Sequence, residues 1–166
     1  VLGSGTVSNR DRRAGSSCIA EVRTVETIEH GAPKSPLLRF CGRVRIELRR
    51  RPDYIHECNC TLCTRTGAHW SYFIPSEVAV EGRTTGYCRE DKDYPNAQIH
   101  FCGACGSTTH FVLSASAVAR FGNCLMGVNM WRAEPRELAG IQLRYPDGRS
   151  WPGEGEFAYL REALVI

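Results

Sequence analysis

The sequence predicts a mainly β protein, built of short antiparallel strands with few short helical turns and organised around metal-binding thiolates. Three observations carry that reading. Val44, Ile46 and Leu48 alternate with Arg43, Arg45, Glu47 and Arg49, the period of a half-buried strand. Short apolar runs then recur down the chain with turn residues between them. Five of the nine cysteines fall in two tight clusters, Cys58-Asn59-Cys60-Thr61-Leu62-Cys63 and Cys102-Gly103-Ala104-Cys105-Gly106.

Residues 1–36 are polar and end in the breakers Gly31, Pro33 and Pro36, so they are expected to form a leader outside the packed domain. The domain itself is expected over 37–150. After the first strand, Pro52-Asp53 marks a turn. Further strands are expected over 70–74, 78–80, 84–88, 98–101, 108–113, 125–130 and 141–144, with turn chemistry at Pro95-Asn96 and Pro146-Asp147-Gly148. Residues 114–120 and 157–164 read as one or two helical turns each. The second of these belongs to a C-terminal extension, 151–166, expected to pack on the domain.

The 166 residues are 42% apolar, enough for one core. No apolar run reaches the length of a membrane span. A net charge of +3 does not argue for nucleic acid, and no aromatic platform is interleaved with the arginines at 43, 45, 49, 50 and 51. A secreted chain would pair its cysteines as disulfides and an intracellular one would use them on metal. The odd count, the clustering and the lack of a signal-peptide pattern favour metal and a cytoplasmic protein.

Cys58, Cys60 and Cys63 place three thiols within six residues. A C-x-x-C turn lets two sulfurs face one ion while backbone amides stabilise the thiolates. Zinc prefers four ligands, so three leave one position for water or substrate, as in catalytic sites. Cys102 and Cys105 need ligands from elsewhere, and Cys41 is the best donor. Cys18, Cys88 and Cys124 are isolated and read as small buried or incidental residues. Near the first cluster, Arg65 is a candidate partner for a substrate carboxylate, or a solvated arginine. His69 is a candidate proton relay, or a plain strand residue. Trp70, Tyr72 and Phe73 wall a pocket or fill the core.

These residues resemble the glutathione-dependent formaldehyde-activating enzyme family, which includes centromere protein V. The resemblance lies in Cys41-Gly42-Arg43-Val44-Arg45, in Cys58 to Cys63 with Gly67, and in His100-Phe101-Cys102-Gly103-Ala104-Cys105-Gly106. Val128-Asn129 and Asp147-Gly148-Arg149 extend it to about 37–150. It implies a zinc-binding β-tent fold with two Zn²⁺ sites. One, from Cys41, Cys102 and Cys105, is structural; the other, from Cys58, Cys60 and Cys63, is the active site. It implies a carbon–sulfur lyase type of reaction in which glutathione and formaldehyde join as S-hydroxymethylglutathione; Arg65, His69 and Trp70, from their position beside the cluster, are the candidates to bind such a substrate. The alternative is a non-catalytic zinc module for protein or nucleic acid. The chain departs from the family where a first C-x-C pair is usual: Arg39 takes the place of one cysteine. The fourth ligand beside Cys41, Cys102 and Cys105 is therefore open between Cys18, His30, His100 and water.

Overall fold

The structure, a computed structural model, describes residues 37–153 and 155–166. The expected leader, with Cys18 and His30, lies outside the described residues. In chain order the strands are β1 (Leu37–Phe40), β2 (Val44–Leu48), β3 (Tyr54–His56), β4 (Trp70–Phe73), β5 (Val78–Glu81), β6 (Thr84–Cys88), β7 (Ala97–Cys102), β8 (Thr108–Leu113), β9 (Met126–Asn129), β10 (Gln142–Arg144) and β11 (Leu164–Val165). Three short helices interrupt them: α1 (Thr61–Thr66), α2 (Ala115–Phe121) and α3 (Pro135–Leu138). The fold is thus mainly β, as the alternation and turn signals predict. No described helix is long and apolar enough to cross a membrane.

Two sheets form. The smaller runs β1-β2-β5 and is antiparallel throughout. Its middle strand keeps the alternation read from the sequence: Val44, Ile46 and Leu48 are buried, and Arg45 and Glu47 face solvent. The larger sheet has the order β11-β10-β3-β4-β9-β8-β7-β6, with β10 and β3 parallel and the other pairs antiparallel. The main core lies between the sheets, where Leu38, Ile46 and Leu48 meet Ile55, Phe73, Val128 and Met130. A second cluster, Ala68, Trp70, Ile99 and Phe111, packs on the other side of the large sheet and takes in Leu62 and Cys63 at its edge.

Arg43, Arg45 and Arg49 are exposed, while the last two arginines of the run are engaged within the fold. Arg50 holds Glu77 at 2.9 Å and Asp53 at 2.9 Å, and donates to the Tyr72 carbonyl. Arg51 donates to the carbonyls of Glu137 and Ala139. Arg50 and Arg51 thus tie loops together, and the other three arginines form a solvated face.

The sequence reading places no strand at β1, β3 or β11, and its helical readings also change. The helix expected at 114–120 forms at Ala115–Phe121, because Ser114 caps it by accepting from the Ala117 N–H. The helical turns expected at 157–164 do not form. There Phe157 and Tyr159, two apart, both turn onto His56, and the Asp147 N–H donates to the Ala158 carbonyl. That is extended geometry, in which alternate side chains share a face. Helix α1 has no periodic apolar signal, and its Thr-rich sequence is a poor helix former. Its caps hold it: the Cys60 sulfur accepts from the Cys63 N–H, and Gly67, at φ 60°, donates to the Cys63 carbonyl.

Candidate metal centres

The first centre is built where β3 runs out. The ladder continues one residue past the strand, with the Glu57 N–H donating to the Arg144 carbonyl, and the chain then turns through Cys58 and Cys60 into α1. The sulfurs of Cys58, Cys60 and Cys63 all lie within 4.8 Å of one another. Tetrahedral thiolates on zinc stand about 3.8 Å apart, given a bond of about 2.3 Å. Backbone amides also point at the sulfurs: Cys60 N–H donates to Cys58 Sγ and Cys63 N–H to Cys60 Sγ, each at 3.4 Å. The donor set therefore fits a soft metal ion such as zinc. The crowding splits the thiols. Contacts from Cys58 and then Cys63 push the Cys60 pKa down, whereas the same closeness pushes Cys63 up. Such a group holds negative charge best when a cation shares it.

A second loop roofs this centre. Asn59 donates to Asp147 at 2.7 Å and accepts from the Arg149 N–H at 3.0 Å, while Arg149 Nε donates to the Asn59 carbonyl. The Asn59 contact, followed by Ser150, lowers the Asp147 pKa. Between these clasps sits Gly148. A Cβ there would stand 2.3 Å from Cys58 Sγ, so only glycine lets the backbone come so near the sulfur.

The second centre joins the β1–β2 turn to the end of β7. The sulfurs of Cys41, Cys102 and Cys105 lie within 4.8 Å of one another, with Cys41 and Cys102 3.7 Å apart. Cys41 sits in that turn, in a left-handed conformation at φ 45° that is unusual for a residue with a Cβ. A hydrogen bond with Ser107 lowers the Cys105 pKa to about 7. Among the described residues no fourth His, Cys, Asp or Glu joins this group. His100 is turned away: its Nδ1 meets Thr84 Oγ1 and its ring stacks on His110.

The three expected substrate residues part company. Arg65 is exposed in the last turn of α1. His69 stands beside the first centre's loop, with Nε2 3.6 Å from Glu57 and its ring stacked 4.3 Å from that of Trp131. Burial lowers its pKa against the raising effect of Glu57. Trp70 is 3% exposed and lies edge-on to Phe111 in the second core cluster, where it has no surface to offer a ligand.

Trp131 and His56 carried no motif in the sequence, and Asn129 and Tyr72 entered its reading only as part of the family resemblance and as a pocket-wall or core residue, respectively. Trp131 is 58% exposed beside His69. Asn129 is fully buried and holds both: its Oδ1 accepts from the His69 and Trp131 amides, and its Nδ2 donates to the Thr108 carbonyl. His56 lies two residues before Cys58 under Tyr72, Phe157 and Tyr159. Burial and then Arg144 lower its pKa to about 4, so the ring is neutral. Burial, followed by the neighbouring acidic groups Cys63, Tyr54 and Cys58, holds the Tyr72 phenol well above the usual tyrosine range. The signal that was available for His56 is the two-residue spacing to Cys58; a three-residue strand is too short to show it by periodicity.

Fold and centres together define a mainly β domain with two three-thiol clusters able to hold metal. Comparison with known proteins gives the family. The model of the glutathione-dependent formaldehyde-activating enzymes matches residues 39–130. The chain belongs to that family. A crystal structure of a Rhodobacter sphaeroides protein, a structural-genomics target, matches at 26% identity over 63% of this chain and 95% of that one, with a TM-score of 0.47. No curated protein matches the chain.

Proposed function

We propose that the chain is a zinc enzyme that joins a small thiol, glutathione or a relative, to formaldehyde as an S-hydroxymethyl adduct, at Cys58, Cys60 and Cys63. The observation that carries this reading is the convergence of three half-buried sulfurs from one loop, with backbone amides aimed at them and a glycine backbone pressed against one side. Three protein ligands leave one position for a guest.

Zinc bound to these sulfurs would stabilise a guest thiol as its thiolate near neutral pH. The chain's own residues do the rest. His69, neutral and beside the loop, accepts the proton that the guest thiol gives up. The exposed face of Trp131 and the terminal guanidinium of Arg65 serve as wall and charge partner for the thiol's peptide-like body and carboxylates. The sulfur lone pair adds to the formaldehyde carbon, a C–S bond forms, and the C=O π electrons pass to oxygen. That oxygen takes up one proton, so the adduct carries the atoms of both reactants and nothing is oxidised or reduced. Holding both partners at one loop removes much of the entropic barrier. The Cys41, Cys102 and Cys105 centre, at the junction of the two sheets, serves stability, and Trp70 serves packing.

The test is exchange NMR of glutathione with ¹³C-formaldehyde. The metal-loaded wild type accelerates exchange over the spontaneous rate, and Cys60→Ser abolishes the acceleration while the melting transition persists. Equal rates with and without the wild type would overturn the assignment.

A further inference from the structure

The loop that roofs the first centre carries a cation, and the thiol loop itself fixes where that cation stands. Asn59 lies between Cys58 and Cys60, and the peptide that joins it to Cys60 is engaged on both sides. Its N–H donates to Cys58 Sγ at 3.4 Å, and its carbonyl accepts from Arg149 Nε at 2.9 Å. The N and O of one peptide unit lie about 2.3 Å apart, so Arg149 Nε stands no more than about 8.5 Å from the Cys58 sulfur. The backbone of the roof comes closer still. The Arg149 N–H donates to Asn59 Oδ1 at 3.0 Å, and a Cβ on the neighbouring Gly148 would meet Cys58 Sγ at 2.3 Å. Arg149 is exposed, and within its guanidinium only Nε has a partner among the described residues. None of the ion pairs among those residues includes it. The acid of its own loop, Asp147, is taken by Asn59 at 2.7 Å and by Ser150. The donors on Nη1 and Nη2 are therefore left for an acceptor from outside. Arg65 differs: it lies exposed in the last turn of α1, and no hydrogen bond among the described residues holds its guanidinium.

We propose that Arg149 decides which thiols the first centre accepts: its Nη1 and Nη2 clamp a carboxylate of the incoming molecule, so that acid-bearing thiols such as glutathione are taken in preference to neutral ones. This rests on the adduct-forming reading above, and Arg149 holds the glutathione carboxylate that Arg65 leaves. The planar fork of a guanidinium offers a carboxylate two parallel N–H···O bonds. With Nε already tied to the backbone, less side-chain freedom is lost when the carboxylate arrives. The reach agrees. The three sulfurs lie within 4.8 Å of one another, and a guest sulfur joining them comes equally near Cys58. The extended cysteinyl-glycine half of glutathione spans about 7 Å from sulfur to carboxylate, enough to meet the guanidinium on the far side of the Asn59–Cys60 peptide. The clamp makes and breaks no covalent bond and moves no proton; it sets affinity alone.

The experiment uses the full metal-loaded chain as wild type, Arg149→Gln and Arg149→Lys. Calorimetry reads the binding of glutathione, glutathione diethyl ester and 2-mercaptoethanol, with metal content and glutathione–formaldehyde exchange read alongside. Arg149→Gln weakens glutathione binding about 10- to 100-fold, the worth of hydrogen bonds to a charged group. It leaves the diester, 2-mercaptoethanol and metal content as in the wild type, and its loss in exchange lies in KM for glutathione. Arg149→Lys falls between, because the charge stays and the fork is lost. An unchanged glutathione affinity in Arg149→Gln would overturn the proposal. Equal losses for all three thiols would overturn it too, since Arg149 would then act only through the peptide it holds. Either result leaves the adduct-forming reading standing when the wild type accelerates exchange. Thiol binding without acceleration would remove that reading while the affinities still judge the clamp, and a wild type that neither binds a thiol nor accelerates exchange would remove both. If Arg149→Gln loses metal, Arg149→Lys decides: an undiminished preference for glutathione over its diester would overturn the clamp.

Discussion

Replacing Gly148 with alanine isolates the contact between the roof loop and the first centre. Gly148 is not among the glycines with positive φ, so alanine suits its backbone and any effect comes from the added methyl. That methyl would stand 2.3 Å from Cys58 Sγ and 3.0 Å from Cys60 Cβ. Non-bonded heavy atoms settle at about 3.5–4.0 Å, so loop and sulfur must separate by roughly 1.5 Å. The clasps of Asn59 to Asp147 and Arg149 resist this, because they hold both loops from either side. Overpacking of this size costs about 1–3 kcal/mol. Moving a ligand by about 1 Å can also lower a rate by about 10²-fold. The assay is metal titration with a chromophoric chelator, paired with the exchange rate and a thermal melt. The expected result is metal bound 10- to 100-fold more weakly at one of two sites, as for lost supporting contacts in general, with the melt lowered by only a few degrees. Wild-type metal affinity and rate in Gly148→Ala would refute the reasoning.

Other outcomes follow from the same geometry. Asn129→Ala strips partners from two backbone amides and one carbonyl in the core; at about 1 kcal/mol each, stability falls by about 3 kcal/mol, read by denaturant titration, and a loss under 1 kcal/mol would show those groups to be satisfied elsewhere. Cys105→Ser lowers metal stoichiometry by one and reduces the melting temperature, read by metal analysis and calorimetry; a variant with full metal content and an unchanged melt would exclude the Cys41–Cys102–Cys105 centre from holding the fold. His110 is buried against His100, which lowers its pKa to about 4. Unfolded histidine binds its proton near pH 6.5, so the unfolded state holds more protons between those values. The stability tied to a neutral His110 is complete above about pH 6.5 and is lost as pH falls towards 4. His110→Gln should flatten that acid limb relative to wild type in chemical denaturation across the range, and parallel curves would rule the pair out as its source.

The sequence was most legible where chemistry demands unusual residues. Thiols at 58, 60 and 63, and at 102 and 105, are costly unless something shares them, and both sets converge in space. Alternation exposed β2 because one of its faces is solvated. It was silent for the three-residue strand β3, too short to hold a period, and β3 carries His56. Helix α1 was hidden because sulfur and a left-handed glycine hold its ends and no apolar stripe marks its faces. The turn residues Pro146-Asp147-Gly148 were visible as a turn. That they would close over Cys58 depends on β10 pairing in parallel with β3, a contact between distant segments that no local pattern encodes. Trp70 and Trp131 show the same limit. Both are tryptophans near the thiol loop, and only the packing of β4 against Phe111 assigns one to the core and the other to the surface.

On the proposed function, sulfur from positions 58, 60 and 63 holds one metal ion and leaves room for an outside thiol. Cobalt-substituted protein reads this most directly, through the sulfur-to-cobalt charge-transfer band on titration with glutathione. The expected result is a saturable increase equal to one added thiolate per protein in the wild type, absent in Cys60→Ser. An unchanged band, or the same increase in Cys60→Ser, would contradict it.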